Sequence, residues 1–389
     1  MTRSFSVCLM QFGAVAALFM LPLLAHAHPG HEGHHHHDNE DEVQVAHNTE
    51  ASLLPLSAVR AAAEDKVSGQ GTLKFRVLYT GAHLPQGAID VLVKAHGGFA
   101  VDRRDGHGET YFALPGAGII RMSADLKTTE LIETPAEVRD TNMHNTTIWY
   151  DQEGAAFLAF PANDAGKVFT TTLDGKLVNT LETPKPEELF NEPTVDGYFA
   201  KGGKFVPTDV EQLNGLYYVT TGYSDLDYVL TARIQSTNPF AAHWQNLAFG
   251  GKGTASGQFG TGHGITVSPD EKRIDVADRP NSEIDRFSPE GKYQDTVTLP
   301  AGSFPCDVDF VGPYTVVGCL HGPNHDLGAP VYIMENDQLV STILPKEELG
   351  LQNFQHIHNA TGVMLGGKLY IIAQAWNPGD FAVFEQVTP

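Results

Sequence analysis

Four histidines open segments of similar pattern along this 389-residue chain. The four are His96, His144, His263 and His358, and each is followed by small or apolar residues, a short β-type run, a turn and a second run. Three neutral imidazoles that meet at one point leave one coordination position open, as a catalytic zinc ion requires. The histidines are therefore candidate ligands of a single metal ion, provided that the fold brings them together.

The spacing of the segments predicts how the histidines meet. Two further segments fit the same frame without the histidine, at Thr208 and Cys306, and the six units begin at intervals of 48, 64, 55, 43 and 52 residues. Such intervals are typical of the blades of a β-propeller, whose innermost strands surround one axis. His144, His263 and His358 then lie on blades two, four and six, about 120° apart around the axis. We predict an all-β, six-bladed propeller with zinc bound by these three residues.

Two other histidines are alternatives for the same role. His96 lies on the first blade and is a candidate fourth ligand. His356 lies two residues before His358 and hence on the same face of a strand, so that it could replace His358.

The cysteines give a second structural prediction. The run between Cys306 and Cys319 is typical of a hairpin with its turn at Gly312 and Pro313, which would place the two cysteines opposite each other. In an oxidising compartment a cross-strand disulfide is favoured. The alternative is that Cys306, at a position where other blades carry histidine, is a metal ligand.

Charge and the first residues indicate the compartment and the class of partner. The chain has 25 Lys and Arg against 47 Asp and Glu, a formal net charge of −22, which argues against nucleic acid or an anionic membrane surface as partner. Residues 1–27 combine Arg3, an apolar stretch and the Ala25-His26-Ala27 site that is typical of a cleaved signal peptide. We expect a periplasmic or secreted monomer that is not inserted in a membrane after cleavage.

The residues after the signal divide into a tail and the propeller. Residues 28–43 contain histidines, acids and glycines with no apolar cluster, which predicts a disordered tail with weak to moderate affinity for metals. Its candidate ligands are His28, His31, His34, His35, His36 and His37. Residues 44–389 are assigned to the propeller, and one of the β runs VQVAH and TLKFRVLYT is expected to complete the last blade and close the ring.

Longer motifs add a resemblance to a known family. Residues 249–297 resemble the NHL repeat of six-bladed propellers, with the runs ITVS, RIDVAD and EIDRFS as successive strands. The three histidines, the segment PTDV at 207–210, the tyrosine that ends TTGY at 220–223, and ADRPNSEI at 277–284 together resemble the peptidyl-α-hydroxyglycine α-amidating lyases. The loop GCLHGPNHDLG on blade five resembles a loop of that family more loosely.

The resemblance implies a function and roles for particular residues. These lyases are zinc propellers that cleave a carbinolamide into an amide and glyoxylate. It implies His144, His263 and His358 as zinc ligands, Tyr223 as catalytic base and Arg279 as its electrostatic partner. A substrate-binding arginine of the family's first blade has no counterpart in ALPGAG at 113–118.

Three functions remain open at this point. The first is a lyase that breaks the C–N bond of an α-hydroxylated amide in a small-molecule or peptide substrate. The second is an exported metallochaperone that collects zinc on the tail, holds it on the axis and passes it to a zinc transporter component. The third is a protein-binding NHL propeller. Whether Ca²⁺ also occupies the channel is left open.

Overall fold

The computed structural model describes residues 66–387, which form an all-β, six-bladed propeller. The blades are antiparallel sheets, five of four strands and one of five. This confirms the predicted fold, with the six inner strands beginning close to the six positions that the spacing indicated. The predicted signal peptide, the histidine-rich tail and the β run VQVAH lie outside the described residues.

The strands follow one another from the axis outward in each blade. Blade one contains β3 (Phe99–Val101), β4 (Thr110–Leu114), β5 (Gly118–Met122) and β6 (Thr129–Ile132). Blade two contains β7 (Thr147–Tyr150), β8 (Ala156–Ala162), β9 (Lys167–Thr172) and β10 (Leu177–Leu181). Blade three contains β11 (Asp209–Leu213), β12 (Leu216–Thr220), β13 (Tyr228–Thr237) and β14 (Phe240–Gly250).

The remaining blades continue the pattern. Blade four contains β15 (Gly262–Val267), β16 (Ile274–Asp278), β17 (Glu283–Phe287) and β18 (Tyr293–Thr298). Blade five contains β19 (Phe304–Val311), β20 (Tyr314–His321), β21 (Val331–Glu335) and β22 (Gln338–Ile343). Blade six contains β23 (Ile357–Leu365), β24 (Lys368–Ala375) and β25 (Asp380–Gln386), followed outward by β2 (Leu73–Thr80) and β1 (Ser68–Gln70).

Helices are short among residues 66–387. They are α1 (Gln86–Ile89), α2 (Ala136–Arg139) and α3 (Pro193–Ala200), with 3₁₀ turns at Gly81–His83 and Leu92–Lys94. Within the described part of the chain, no helix has the length and apolar character needed to cross a membrane.

The ring closes by pairing the two ends of the described chain. β2 pairs with β25, with Phe75 opposite Gln386, so the predicted strand TLKFRVLYT does complete the last blade. Closure removes two exposed sheet edges, which would otherwise be sites for aggregation. Phe75 and Phe384 are fully buried in an apolar cluster between blades five and six. Similar clusters between other neighbouring blades keep the inner strands in fixed positions around the axis.

The structure corrects the prediction of a disulfide between Cys306 and Cys319. Cys306 and Cys319 are both buried free thiols. The hairpin forms with its turn where the sequence indicated, but irregularities on either side of Pro305 shift the pairing, so that Cys319 lies opposite Pro305 rather than Cys306. A bulge inserts an extra residue into one strand, and register counted from the turn then fails beyond it.

Candidate metal centre

His144, His263 and His358 meet on the axis. The centroids of the His144 and His263 rings are 4.8 Å apart, those of His144 and His358 4.5 Å, and those of His263 and His358 5.0 Å. All three side chains are buried. Alternate blades supply them, since His144 precedes β7, His263 lies at the start of β15 and His358 lies at the start of β23. We call these three residues the imidazole layer.

Each ring of the imidazole layer is held by a carbonyl of the next blade. Nδ1 of His144 donates to Thr208 O at 2.6 Å, and Nδ1 of His263 donates to Cys306 O at 2.7 Å. Nδ1 of His358 donates to Gly97 O at 3.0 Å. Because a carbonyl oxygen can only accept, Nδ1 carries the proton in each neutral ring and Nε2 carries the lone pair. Metal-binding histidines are oriented in this way by a partner on the other ring nitrogen.

Two of the lone-pair nitrogens, those of His144 and His358, face each other. Nε2 of His358 lies 3.2 Å from Nε2 of His144. Burial lowers the pKa of both rings well below the ordinary value, and neighbouring imidazoles and Arg279 lower it further. The rings are therefore neutral at pH 7 and present two acceptors to each other without a proton between them. Such an arrangement is stabilised by a cation.

His96 adds a fourth imidazole beside the layer. Its ring centroid lies 4.5 Å from that of His144 and 4.4 Å from that of His358. Ligand nitrogens of His96, His144 and His358 all lie within 4.8 Å of one another. The ring stacks on Trp376, at 5.2 Å between centroids, and its Nδ1 contacts the Asn142 amide. Burial lowers the pKa of His96 to about 4, so it too is a neutral potential ligand.

His263 differs from the other two rings because a phenol hydroxyl occupies its free nitrogen. The hydroxyl of Tyr223 donates to His263 Nε2 at 3.0 Å and accepts from Arg279 Nη1 at 2.6 Å. Burial raises the pKa of the Tyr223 phenol, while the charge of Arg279 acts in the opposite direction. The tyrosine is still 39% exposed. The structure therefore brings together the base and the arginine that the family resemblance implied.

Arg279 is a buried cation without a carboxylate partner. Its side chain is 6% exposed, and among residues 66–387 it forms no ion pair. Its other contact is from Nη2 to Cys306 Sγ at 3.1 Å, and its Nε has no partner. The Cys306 thiol in turn donates to Ile357 O at 3.2 Å. Cys306 is thus turned toward the arginine and a carbonyl. Among the described residues, neither Cys306 nor His263 belongs to the group of converging ligand atoms formed by His96, His144 and His358.

His356 does not replace His358. Its Nδ1 contacts Leu320 O at 3.2 Å, and its ring lies 4.7 Å from His321 and 6.0 Å from Trp376. His321 stacks on His325 at 4.3 Å. The three off-axis histidines, His321, His325 and His356, form a group that Trp376 connects to His96. Sequence reasoning noted the loop GCLHGPNHDLG without assigning its histidines a place, and it missed Trp376 and Asn142.

A cavity of about 660 Å³ opens beside His96. His96, Asn142 and Trp376 form the wall of the cavity next to the imidazole layer, and Lys94, Asp140 and Asp164 are its charged residues. Its wall also contains Gly116, from the turn that lacks the family's arginine. An ideal Cβ at Gly116 would lie 3.6 Å from Lys94 Nζ, so a lysine from another segment stands beside this turn.

A second layer of the channel is formed by residues that directly follow the blade-opening positions His144, Thr208, Cys306 and His358. Its members are Asn145, Asp209, Asp307 and Asn359, here called the carboxylate layer. They line a cavity of about 380 Å³. Burial raises the pKa of Asp209 and Asp307, and the charge of Asp307 raises that of Asp209 further. The presence of Ca²⁺ in the channel stays a prediction. The tail histidines lie outside the described residues.

Comparison with known proteins gives distant structural neighbours. No protein-family model and no curated protein sequence matches the chain. A catalytically inactive virginiamycin B lyase from Staphylococcus aureus with quinupristin is 13% identical, with 76% of this chain and 96% of that chain covered and a TM-score of 0.43. A structure of a nidogen/laminin complex is 13% identical, with 72% and 94% covered and a TM-score of 0.44. Likeness at this level carries no argument about activity.

Proposed function

We propose that this chain is a zinc-dependent lyase that breaks the C–N bond of an α-hydroxylated amide and releases an amide and glyoxylate. One observation carries the proposal. The Tyr223 hydroxyl lies between Arg279 and His263, in hydrogen-bond contact with both, at the edge of the imidazole layer. A group that exchanges protons, a fixed positive charge and a set of metal ligands therefore share one site.

The imidazole layer fits zinc. Its nitrogen donors are neutral, oriented and buried, as zinc prefers. Two nitrogens bound to one tetrahedral zinc at the usual distance are separated by about 3.3 Å. The two facing Nε2 atoms of His144 and His358 are 3.2 Å apart. We assign His144, His263 and His358 as ligands, with zinc taking the place of the Tyr223 proton at His263 Nε2. His96 is the alternative to His263 that the convergence of nitrogens supports.

Zinc, when bound, supplies Lewis acidity to a substrate oxygen and favours loss of the hydroxyl proton. The residues of the chain do the rest. Tyr223 accepts the proton of the substrate hydroxyl in its deprotonated form, which the charge of Arg279 favours against the opposing effect of burial. The hydroxyl carbon becomes a carbonyl, the C–N bond breaks, and its electron pair goes to nitrogen. The nitrogen receives the proton from Tyr223. The reaction needs no water and no redox partner.

The substrate is expected to be an anion. Arg279 is buried without a carboxylate of the protein beside it, and a substrate carboxylate would compensate its charge. An α-hydroxyglycine end, with hydroxyl and carboxylate on one carbon, presents both groups that Tyr223 and Arg279 recognise.

The test is turnover of α-hydroxyhippurate by zinc-loaded protein, with benzamide and glyoxylate measured. Tyr223→Phe should lower kcat by about 10²–10⁴-fold, the usual contribution of a general base. Zinc content should stay unchanged. Tyr314→Phe, on a half-buried tyrosine at the start of β20, is the matched control and should keep full activity. Equal loss in both variants, or no glyoxylate from the wild type, would overturn the proposal.

A zinc chaperone is the second candidate, and the off-axis histidines favour it. His321, His325 and His356 lie in ring contact and connect through Trp376 to His96, so imidazoles extend from the surface to the axis. A chaperone would transfer zinc to an acceptor, and deletion of residues 28–42 would slow its loading. His325→Ala, on an exposed ring, should slow loading while leaving lyase turnover unchanged.

A further inference from the structure

A group of three acids lies in blade four, apart from the imidazole layer. Oxygen atoms of Asp278, Glu283 and Asp285 all lie within 4.8 Å of one another. The hairpin of β16 and β17 brings them together, because Asp278 is the pairing partner of Glu283. Asp285 follows Glu283 by two residues and so lies on the same face of the sheet. The register of the hairpin thus places three carboxylates at one point.

No positive charge of the described chain compensates these acids. Asp278 and Asp285 are fully buried, and none of the ion pairs among residues 66–387 includes any of the three. Burial and the charges of Glu283 and Asp278 together raise the pKa of Asp285 to about 7. Uncompensated carboxylates in a buried position are costly unless a cation joins them.

The hydrogen bonds leave oxygen atoms available. Asp278 accepts from Gly260 N at 2.9 Å, Thr261 N at 3.0 Å and Asn281 Nδ2 at 2.6 Å. Asp285 accepts from Thr296 at Oδ1, but its Oδ2 is buried and has no partner. A buried acceptor without a donor is rare in folded proteins and calls for an explanation. A metal ion in contact with this oxygen provides one.

We propose that Asp278, Glu283 and Asp285 bind a calcium ion in blade four. Ca²⁺ takes six to eight oxygen ligands and accepts carboxylates readily, whereas zinc prefers nitrogen and sulfur. The half-buried Glu283 leaves one side open for water to complete the coordination. The site is separate from both layers of the channel.

The ion would also fix the position of Arg279. Asp278 ends β16 and Glu283 begins β17, so the two ligands stand on either side of the four-residue loop 279–282 that carries the arginine. An ion that joins both ends restricts this loop and, with it, the contact between Arg279 and Tyr223. The calcium site is therefore a structural support for the proposed lyase site, and its existence does not depend on that function.

Thermal unfolding of the metal-free full-length protein, titrated with CaCl₂ alone, tests the site. Wild type should gain roughly 2–5 °C in Tm at millimolar Ca²⁺, as mass action predicts for a specific ligand of a domain of this size. Glu283→Gln and Asp285→Asn should lose most of the shift. Glu290→Gln, an exposed acid in a turn of the same blade, should keep it. Without calcium, Glu283→Gln should unfold at or above the wild-type temperature, because one repelling charge is gone.

Two results would overturn the proposal. One is a wild-type Tm that does not respond to Ca²⁺. The other is a Glu283→Gln protein that keeps the full response, which would place the calcium elsewhere, as at the carboxylate layer. If Asp285→Asn does not fold, Glu283→Gln at a half-buried position still provides the test. Because the readout is unfolding, a failure of the lyase proposal would leave this result unaffected.

Discussion

The imidazole layer and the carboxylate layer are neighbours in the channel. They differ in whether their hydrogen-bond acceptors are paired with donors of the chain. Each carboxylate of the second layer accepts hydrogen bonds from the chain. Asp209 accepts from Val210 N at 2.7 Å and Ile265 N at 2.8 Å. Asp307 accepts from Val308 N at 2.8 Å and from the amides of Asn145 and Asn359.

The imidazole layer is not satisfied in this way. Its donors, the Nδ1 protons, are all used by carbonyls, but the acceptors of His144 and His358 face each other. Buried acceptors are normally paired with donors. The difference shows that a polar side chain near the propeller axis is not for that reason alone a metal ligand. The carboxylate layer completes its own hydrogen bonds and holds the inner strands together, while two acceptors of the imidazole layer face each other with no donor of the described chain between them.

Removal of one imidazole should have the largest effect. His358→Ala takes away a ligand and should reduce zinc affinity by more than the roughly 10–100-fold that loss of an outer-shell partner causes. Competition with a chromogenic chelator measures this. His356→Ala, two residues earlier and off the axis, should reduce affinity far less. Equal losses in the two variants would show that zinc is not bound by the imidazole layer.

The carboxylate layer should reveal itself in the pH dependence of stability. Burial raises the pKa of Asp307 from 3.8 to about 7, so the folded state holds a proton that the unfolded chain has released. Its stabilising contribution is complete below about pH 4 and is lost as pH rises through 7. In urea unfolding of metal-free protein, the contribution of Asp307 makes the free energy of unfolding fall as pH rises through this range. Asp307→Asn should reduce the slope of that fall by up to about 1.4 kcal/mol per pH unit. An unchanged slope would contradict the assignment.

Arg279 should weaken zinc binding while it supports the chemistry. Its charge lowers the pKa of the rings of the imidazole layer, and by the same repulsion it disfavours a cation there. Arg279→Gln should therefore raise zinc affinity by about three- to tenfold, as expected for one charge at moderate distance. Turnover should fall. Arg233→Gln, whose guanidinium contacts Asn214 O at a surface turn, is the control and should change neither. A lower zinc affinity for Arg279→Gln would contradict the account.

The thiols give the smallest expected effect. Cys306 and Cys319 should both be alkylated in unfolded protein without prior reduction, and reductant should leave Tm unchanged. Peptide mass spectrometry measures the labelling. Cysteines that react with the label only after reduction would show that the predicted disulfide forms.

Much of the fold follows from the sequence because blade spacing is a long-range pattern. Small errors at individual strands do not disturb it, so the six inner strands and the closing strand β2 were predictable. Arguments that count single residues fail at bulges. Counting from Gly312 paired Cys306 with Cys319, but the irregularities beside Pro305 change that pair.

The candidate site was predictable in part. His144, His263 and His358 were singled out by their phase on alternate blades, and Tyr223 and Arg279 by the family resemblance. His356 was misjudged as a neighbour of His358 on one strand face, because β23 begins at Ile357 and leaves His356 before the strand. The carbonyls that hold the rings could not be predicted, because every residue has the same backbone oxygen. Trp376 could not be predicted either, because its contact with His96 joins two blades and local sequence does not indicate such contacts.

Zinc K-edge X-ray absorption tests the central claim most directly. The sample is protein without residues 28–42, loaded with one equivalent of zinc, so that the tail histidines do not contribute. The account predicts scattering from imidazole nitrogens at about 2.0–2.1 Å, with three or four rings and no sulfur. A shell at about 2.3 Å, the distance of zinc to thiolate, or coordination by oxygen alone would contradict it.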